Sequence, residues 1–413
     1  MNCRSLIVCA LLTSFASLSY AADLVSVDFV ATVPKDTPAD TAVLLVGNSK
    51  ELGRWNPENG VKLERRKDGK YAARVSFVKN RRVEYKLCLG SWRRPERTAD
   101  GGDRKNREIT PTQNETVDIE VPRWGDGRAP RRTTSITGTV KTHAKVKSKF
   151  LELPRDVFVY LPPGYVRNTD ARYPVLYMHD GQNLFDRRRT AFGVEWGIDE
   201  TAQRLILAKR IEEIIVVGVS NTRHRTAEYT MPAPSLKNSD GPDTVKRPKS
   251  RGDRYARFLV EELKPFIDET YRTKTERDHT AIGGSSLGGL ISLYIASKHP
   301  KVFAKCAVVS AALAWNQQQI LKQVERDGAW MRRARIWLDM GTSEARTLDD
   351  GTEYLTVKNT RKLVEIFDQW ELAPGRDYYY SEIQGGTHDE AAWASRADKI
   401  LLFLFAPRGR AER

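Results

Sequence analysis

Two regimes of hydrophobic and polar positions divide the chain. From Leu24 to about Val121, short runs alternate apolar and polar residues, as in Val25-Ser26-Val27-Asp28-Phe29-Val30, Tyr71-Ala72-Ala73-Arg74-Val75-Ser76-Phe77 and Thr116-Val117-Asp118-Ile119-Glu120-Val121. A period of two puts one face of a strand inside and the other in water. The stretches 42–46 and 82–87 continue the series, and no amphipathic helix lies between them. The pattern predicts a small all-β sandwich over residues 22–121.

Residues 122–134 contain Gly, Pro and several Arg without a hydrophobic period, and read as a linker. From Ser135 to the end of the chain the runs are apolar on both faces, as in Val157–Leu161, Tyr173–Met178, Ile214–Val219, Thr280–Gly283, Cys306–Ser310 and Arg335–Met340. Strands of that kind lie beneath helices. Helical periodicity separates them, notably over Arg254–Thr270, Leu287–Lys298 and Thr356–Glu371. Alternating strands and helices over 135–413 predict an α/β domain, a mostly parallel sheet with helices on both faces.

The first residues change the picture of location. Arg4, an apolar run from Leu6 to Leu18 and the small residues of Ser19-Tyr20-Ala21 form an export signal with cleavage before Ala22. The mature protein is expected in the periplasm or outside the cell, with no membrane anchor. Cys3 and Cys9 leave with the signal, and Cys88 and Cys306 are expected as buried thiols in different domains. The net charge of +15 is spread among scattered basic residues, and no base-reading module accompanies it. It therefore points to a soluble surface that favours anionic surroundings rather than to nucleic acid.

Candidate chemistry centres on Ala281-Ile282-Gly283-Gly284-Ser285-Ser286-Leu287-Gly288-Gly289. Gly284-x-Ser286-x-Gly288, after an apolar strand and before a helix, is a nucleophile elbow. Glycine stands where side chains flanking a strained serine would clash. The turn also puts the Leu287 N–H at a helix N-terminus, where it can stabilise an oxyanion. A serine nucleophile needs a base and an orienting acid, in the chain order Ser, Asp/Glu, His. His388, in a loop after the strand over 378–383, fits the base. Glu344, in the turn after the strand ending at Met340, is the first choice for the acid, with Asp349 and Asp350 as alternatives. A second oxyanion donor is expected near Gln182, where Gly181 lets the backbone turn after the strand ending at Met178. Arg225 and Tyr229 are candidate substrate contacts, with an Arg225–Glu228 ion pair as the alternative use of that loop. No spacing of His, Cys, Asp and Glu suggests a metal, and the chemistry needs no cofactor.

At these residues the stretch from Phe158 to Phe405 resembles the "Putative esterase" family, which includes feruloyl, acetylxylan and enterochelin-type esterases and mycolyltransferases. The resemblance rests on His179-Asp180-Gly181-Gln182-Asn183-Leu184-Phe185-Asp186, Glu195–Glu200, Arg225 with Glu228-Tyr229, Gly284–Gly289 and Gly386-Thr387-His388. It implies an α/β-hydrolase fold with Ser286, Glu344 and His388 as its triad. The first domain is similar to the starch-binding domain of carbohydrate-binding module family 20, through Leu52-Gly53-x-Trp55, Glu84-Tyr85-Lys86 and Asn106-Arg107. That resemblance implies a sugar platform including Trp55 and Lys86. The family's second tryptophan, directly before a Glu, is replaced by Pro95 before Glu96, and Trp92 lies just upstream. Trp55 could equally serve the core, and the domain could serve packing. The resulting expectation is an exported serine esterase acting on acyl or feruloyl esters of a polysaccharide, with no cofactor. The alternatives are a siderophore trilactone esterase and a glycan-binding protein with a silent hydrolase domain.

Overall fold

The computed structural model describes residues 23–127, 133–190, 193–232, 249–347 and 353–407. The proposed export signal, Asp349 and Asp350 lie outside these residues. The chain falls into two compact units, divided between residues 130 and 131.

The first unit is all-β. Its strands are β1 (Leu24–Thr32), β2 (Val43–Gly47), β3 (Val61–Arg65), β4 (Tyr71–Val78), β5 (Val83–Leu89), β6 (Arg107–Ile109) and β7 (Glu115–Glu120), in the order β6-β5-β2-β3-β4-β1-β7. All neighbours run antiparallel except β1 and β7. β3 gives Val61–Leu63 to β2 and Glu64–Arg65 to β4, so the sheet turns a corner within one strand. The alternate residues Val27, Phe29 and Ala31 of β1 meet Leu45, Phe77 and Tyr85 in a single core. Part of the expected linker belongs to this unit. Trp124 pairs with Glu96 and Arg123 with Arg97, and the Trp124 indole packs on the core while its Nε1 donates to Thr37 Oγ1 at 2.8 Å. A lone tryptophan in an Arg/Gly/Pro run has no periodicity to reveal it.

The second unit holds an eight-stranded sheet: β8 (Thr139–Val146), β9 (Arg155–Leu161), β10 (Val175–His179), β11 (Ile215–Val219), β12 (Thr280–Ser285), β13 (Lys305–Val309), β14 (Arg335–Gly341) and β15 (Tyr378–Ile383). The order is β8-β9-β11-β10-β12-β13-β14-β15, parallel from β11 to β15. β9 is antiparallel to β11, and β8 to β9. The edge strand β8 escapes a reading by pattern because none of its residues is buried.

Side chains alternate strictly between two cores. Val175, Tyr177, Ile282, Cys306, Val308 and Leu338 face one set of helices, and Leu176, Met178, Ala281, Ala307, Val309 and Trp337 face the other. The helices are α1 (Ile198–Leu207), α2 (Arg225–Glu228), α3 (Gly252–Arg257), α4 (Lys264–Thr270), α5 (Leu287–Lys298), α6 (Trp315–Arg326), α7 (Val357–Gln369), α8 (Glu390–Ala394) and α9 (Ala397–Phe405). A π-helical turn, Phe258–Leu263, joins α3 to α4. Helices α1 and α9 cover one face, and α3 to α7 the other. Both Cys88 and Cys306 are free and buried. No described helix is long and apolar enough to cross a membrane.

Strand order reverses at β10, which has the next strand in sequence, β11, on one side and β12 on the other. Loops leaving the carboxyl ends of β10 and β12 therefore diverge to opposite faces and leave a crevice between them. The loop after β11 is fixed there by a buried ion pair. Glu228 of α2 receives Nη1 and Nη2 of Arg155, at 3.1 and 3.0 Å, and both side chains are excluded from solvent. Removing one partner leaves the other charge buried alone, which costs about 3–5 kcal/mol. Glu228→Ala should lower the urea midpoint by an amount equivalent to that range. A change below about 1 kcal/mol would show that the pair does not hold this loop.

Candidate active site

Strand β12 runs into α5 through Ser286, whose backbone sits at φ 60° and ψ −123°. A serine there costs about 1–3 kcal/mol and persists only when its surroundings over-determine it. Three backbone bonds do so: Ser286 N–H donates to Val309 O at 3.0 Å, and its carbonyl accepts from Leu290 N (3.1 Å) and Ala312 N (3.2 Å). A Cβ on Gly284 would lie 3.1 Å from both His179 Cδ2 and the Gly288 carbonyl carbon, so glycine is what lets the turn close.

The elbow opens into a cleft of about 430 Å³ above the switch point. Ser286, Leu287 and His388 line it, with Asp180, Asn183, Asn221, Arg225 and Glu390 forming polar walls and Trp196, Trp315, Trp393 and Leu355 apolar ones. His388 Nδ1 lies 2.8 Å from Oε2 of Glu344, a carboxylate only 1% exposed. That bond sets Nδ1, not Nε2, against the carboxylate.

Glu344 is held in turn. Its Oε1 accepts from Gly341 N at 2.7 Å and from Ser310 Oγ at 2.7 Å. Ser310 Oγ accepts from Arg396 Nη2 (2.6 Å) and Trp393 Nε1 (3.1 Å), so its one donor and two acceptor sites are all used. The Arg396 guanidinium also grips Asp339, with Nε at 3.0 Å and Nη2 at 3.1 Å. Trp337 Nε1 and Ser310 N complete the Asp339 carboxylate. Ser310, Asp339 and Arg396 did not emerge from the sequence as site residues. The available signal was Asp339, a charge inside a strand otherwise apolar on both faces, which has to be paired.

The other sequence candidates fall differently. Gln182 sits in a short 3-10 turn, Gly181–Asn183, and its Oε1 accepts from Asn221 N at 3.1 Å. It is absent from the cleft lining and lines a smaller depression with Phe185 and Phe158. Arg225 does reach the cleft, but the Arg225–Glu228 pair is not formed. Arg225 is bidentate to Asp180, at 2.8 Å from each oxygen, and Asn221 Nδ2 adds a bond of 2.6 Å. Glu228 is taken by Arg155, because an arginine buried at the start of β9 must be paired. Tyr229 stands behind the wall rather than in it. Its ring is fully buried against His179 and Tyr255, and its hydroxyl accepts from Asp180 N at 3.2 Å. In the first unit, Trp55 and Trp92 come together, with ring centroids 6.1 Å apart, a tilt of 44° and Trp92 Nε1 donating to Trp55 O at 2.9 Å. Lys86 Nζ donates to the Arg104 carbonyl, and burial lowers the Lys86 pKa.

Comparison with known proteins follows the division of the chain. Residues 148–404 match the family model described as "Putative esterase". The chain belongs to that family. It is accordingly a hydrolase of carboxylic esters, built on the α/β-hydrolase fold. Residues 24–119 match the starch binding domain model. An alpha-amylase of Niallia circulans is 37% identical over 103 residues, covering 24% of this chain and 8% of the amylase. An endo-1,4-beta-xylanase/feruloyl esterase of Xylanibacter ruminicola is 28% identical over 155 residues, covering 37% of this chain and 19% of that protein. The chain thus spans under a fifth of either relative. The crystal structure of the BES protein from Bacillus cereus shares the fold, with TM-score 0.52 and 20% identity over 67% of this chain and all of that one.

Burial gives the site a measurable pH signature. His179, beneath the elbow, is 2% exposed, and burial pushes its pKa down to about 3. An unfolded histidine takes up its proton near pH 6.5, so between about 6.5 and 3 only the unfolded chain gains that proton. Stability from this residue is complete above that window and falls as pH falls, by up to ~1.4 kcal/mol per unit. Urea midpoints between pH 4 and 7 should show a slope that His179→Gln flattens. An identical slope in the variant would place the histidine's proton elsewhere.

Proposed function

We propose that the protein is an exported serine esterase in which Ser286 is the nucleophile, His388 the general base and Glu344 the orienting acid. The observation that carries this reading is the Glu344–His388 bond at 2.8 Å on a cleft that also holds the strained Ser286. Glu344 fixes the tautomer by accepting from Nδ1–H, so Nε2 takes the Ser286 proton as Oγ attacks the ester carbonyl. The Leu287 N–H, on the cleft wall beside Ser286, stabilises the oxyanion. Collapse of the tetrahedral intermediate sends the proton from Nε2 to the departing alcohol and leaves an acyl-serine. Water deprotonated by His388 then releases the acid and regenerates Ser286. Each step balances without a cofactor.

The acyl or feruloyl ester of a polysaccharide is the substrate class we favour. The feruloyl esterase relative supports it, as does the starch-binding match in the same chain. In the first unit, Trp55 and Trp92 would offer a sugar platform, with Trp92 37% exposed. The N-terminal stretch read as an export signal agrees with a polymer outside the cytoplasm.

Hydrolysis of p-nitrophenyl acyl esters and methyl ferulate should fall at least about 10³-fold in kcat/KM in Ser286→Ala, and by a similar order in Glu344→Gln. Equal rates in wild type and Ser286→Ala would refute the assignment. Absence of turnover from folded protein that binds polysaccharide tightly would favour the silent, glycan-binding alternative. Binding to soluble amylose should weaken about 3–10-fold in Trp92→Ala. Unaltered binding, or none in the wild type, would leave the tryptophan pair as packing.

A further inference from the structure

The chain as a whole carries +15, yet the charges on the cleft sum the other way. Among its lining residues, Asp180 and Glu390 are acidic and only Arg225 is a permanent cation. The guanidinium is already committed, held by both oxygens of Asp180. Glu390, two positions beyond His388, has a neutral side-chain partner, the Asn183 amide 2.9 Å from Oε1. Among the described residues no ion pair reaches it. Glu344, buried behind His388, shares the single positive charge of Arg396 (3.6 Å away) with Asp339, so that pair adds no net cation to the cleft.

From this placement we propose that Glu390 is a specificity-determining residue. Its unneutralised carboxylate selects esters that are uncharged and hydroxyl-bearing where they enter the cleft, such as esters of neutral sugars. It rejects esters that carry a carboxylate or an anionic metal chelate. The proposal rests on the serine-esterase reading above and narrows its substrate class. A hydroxyl can donate to the Glu390 carboxylate, whereas an anion meets it across a partly desolvated gap in which charges act strongly. Burial, with the neighbouring Asp180 and Asp389, holds the Glu390 carboxyl above its usual range, against its own backbone N–H and Arg225. The surface then attracts anionic surroundings while the cleft excludes anionic substrate, so the basic composition does not argue for a ferric siderophore.

The test compares two matched pairs of esters in the full-length protein. One pair puts the charge on the acyl side (p-nitrophenyl hemisuccinate against p-nitrophenyl butyrate). The other puts it on the alcohol side (4-acetoxybenzoate against its methyl ester). The readout is the anionic-to-neutral ratio of kcat/KM, in which any general effect on Ser286 or His388 cancels. Glu390→Gln, which keeps the shape and the bond to Asn183, should raise the ratio in at least one pair by on the order of tenfold. Without any substitution, the wild-type ratio should rise between 20 and 500 mM NaCl as screening shortens the reach of the carboxylate. Ser286-dependent hydrolysis with both ratios unmoved by the substitution and by salt would overturn the role of Glu390 alone. Neutral esters that are not hydrolysed in a Ser286-dependent way would overturn the esterase reading with it.

Discussion

Asp339 is a carboxylate in the middle of a sheet that has no water to offer it, and the arrangement of the cleft follows from how it is satisfied. Its partner, Arg396, comes from the turn before α9, far along the chain. Once Arg396 is drawn in, one of its nitrogens also reaches Ser310 at the end of β13, and Ser310 then has a single hydrogen left to give. It gives it to Glu344. A buried charge pair is weak evidence for stability, because desolvation offsets the attraction. Here the pair's contribution is directional: it joins β13, β14 and the C-terminal helices at the carboxylate that faces His388.

The fold was legible where pattern and chemistry agreed. Strands buried on both faces, the glycine-flanked Ser286 and the placing of His388 after the last strand all come from local rules of sterics and periodicity. What escaped was decided by partners distant in sequence. Glu228 and Arg225 are three residues apart and invite a helical ion pair. Yet Arg155 and Asp180, which no local pattern ties to them, take both. Tyr229 looked like a contact because it follows Arg225, whereas the twist of α2 turns its ring inward beneath Asp180. Trp124 and the edge strand β8 were missed for opposite reasons, one an isolated apolar residue and the other a strand with no buried side.

The cleft joins two kinds of wall. Three tryptophans and Leu355 provide apolar surface, and the residues from the β10 and β11 loops provide a polar face organised around Asp180. Asp180 occupies the left-handed region at φ 55°, one residue past the end of β10, and is fixed by Arg225, Asn221 and the Tyr229 hydroxyl. Its environment is saturated before any ligand arrives. The polar wall is therefore preorganised, and a ligand does not have to order it on entry.

In chain order, nearly the whole second sheet precedes the groups that complete the site. Strands β8 to β14 and Ser286 lie ahead of Tyr378, while β15, His388, Trp393 and Arg396 all come after it. A nascent chain that has reached β14 already holds an elbow serine, but it lacks both the imidazole and the guanidinium that braces Glu344. The elbow is thus laid down early and the His388 imidazole arrives last, so under the proposed mechanism the order of synthesis itself keeps an incomplete chain inert.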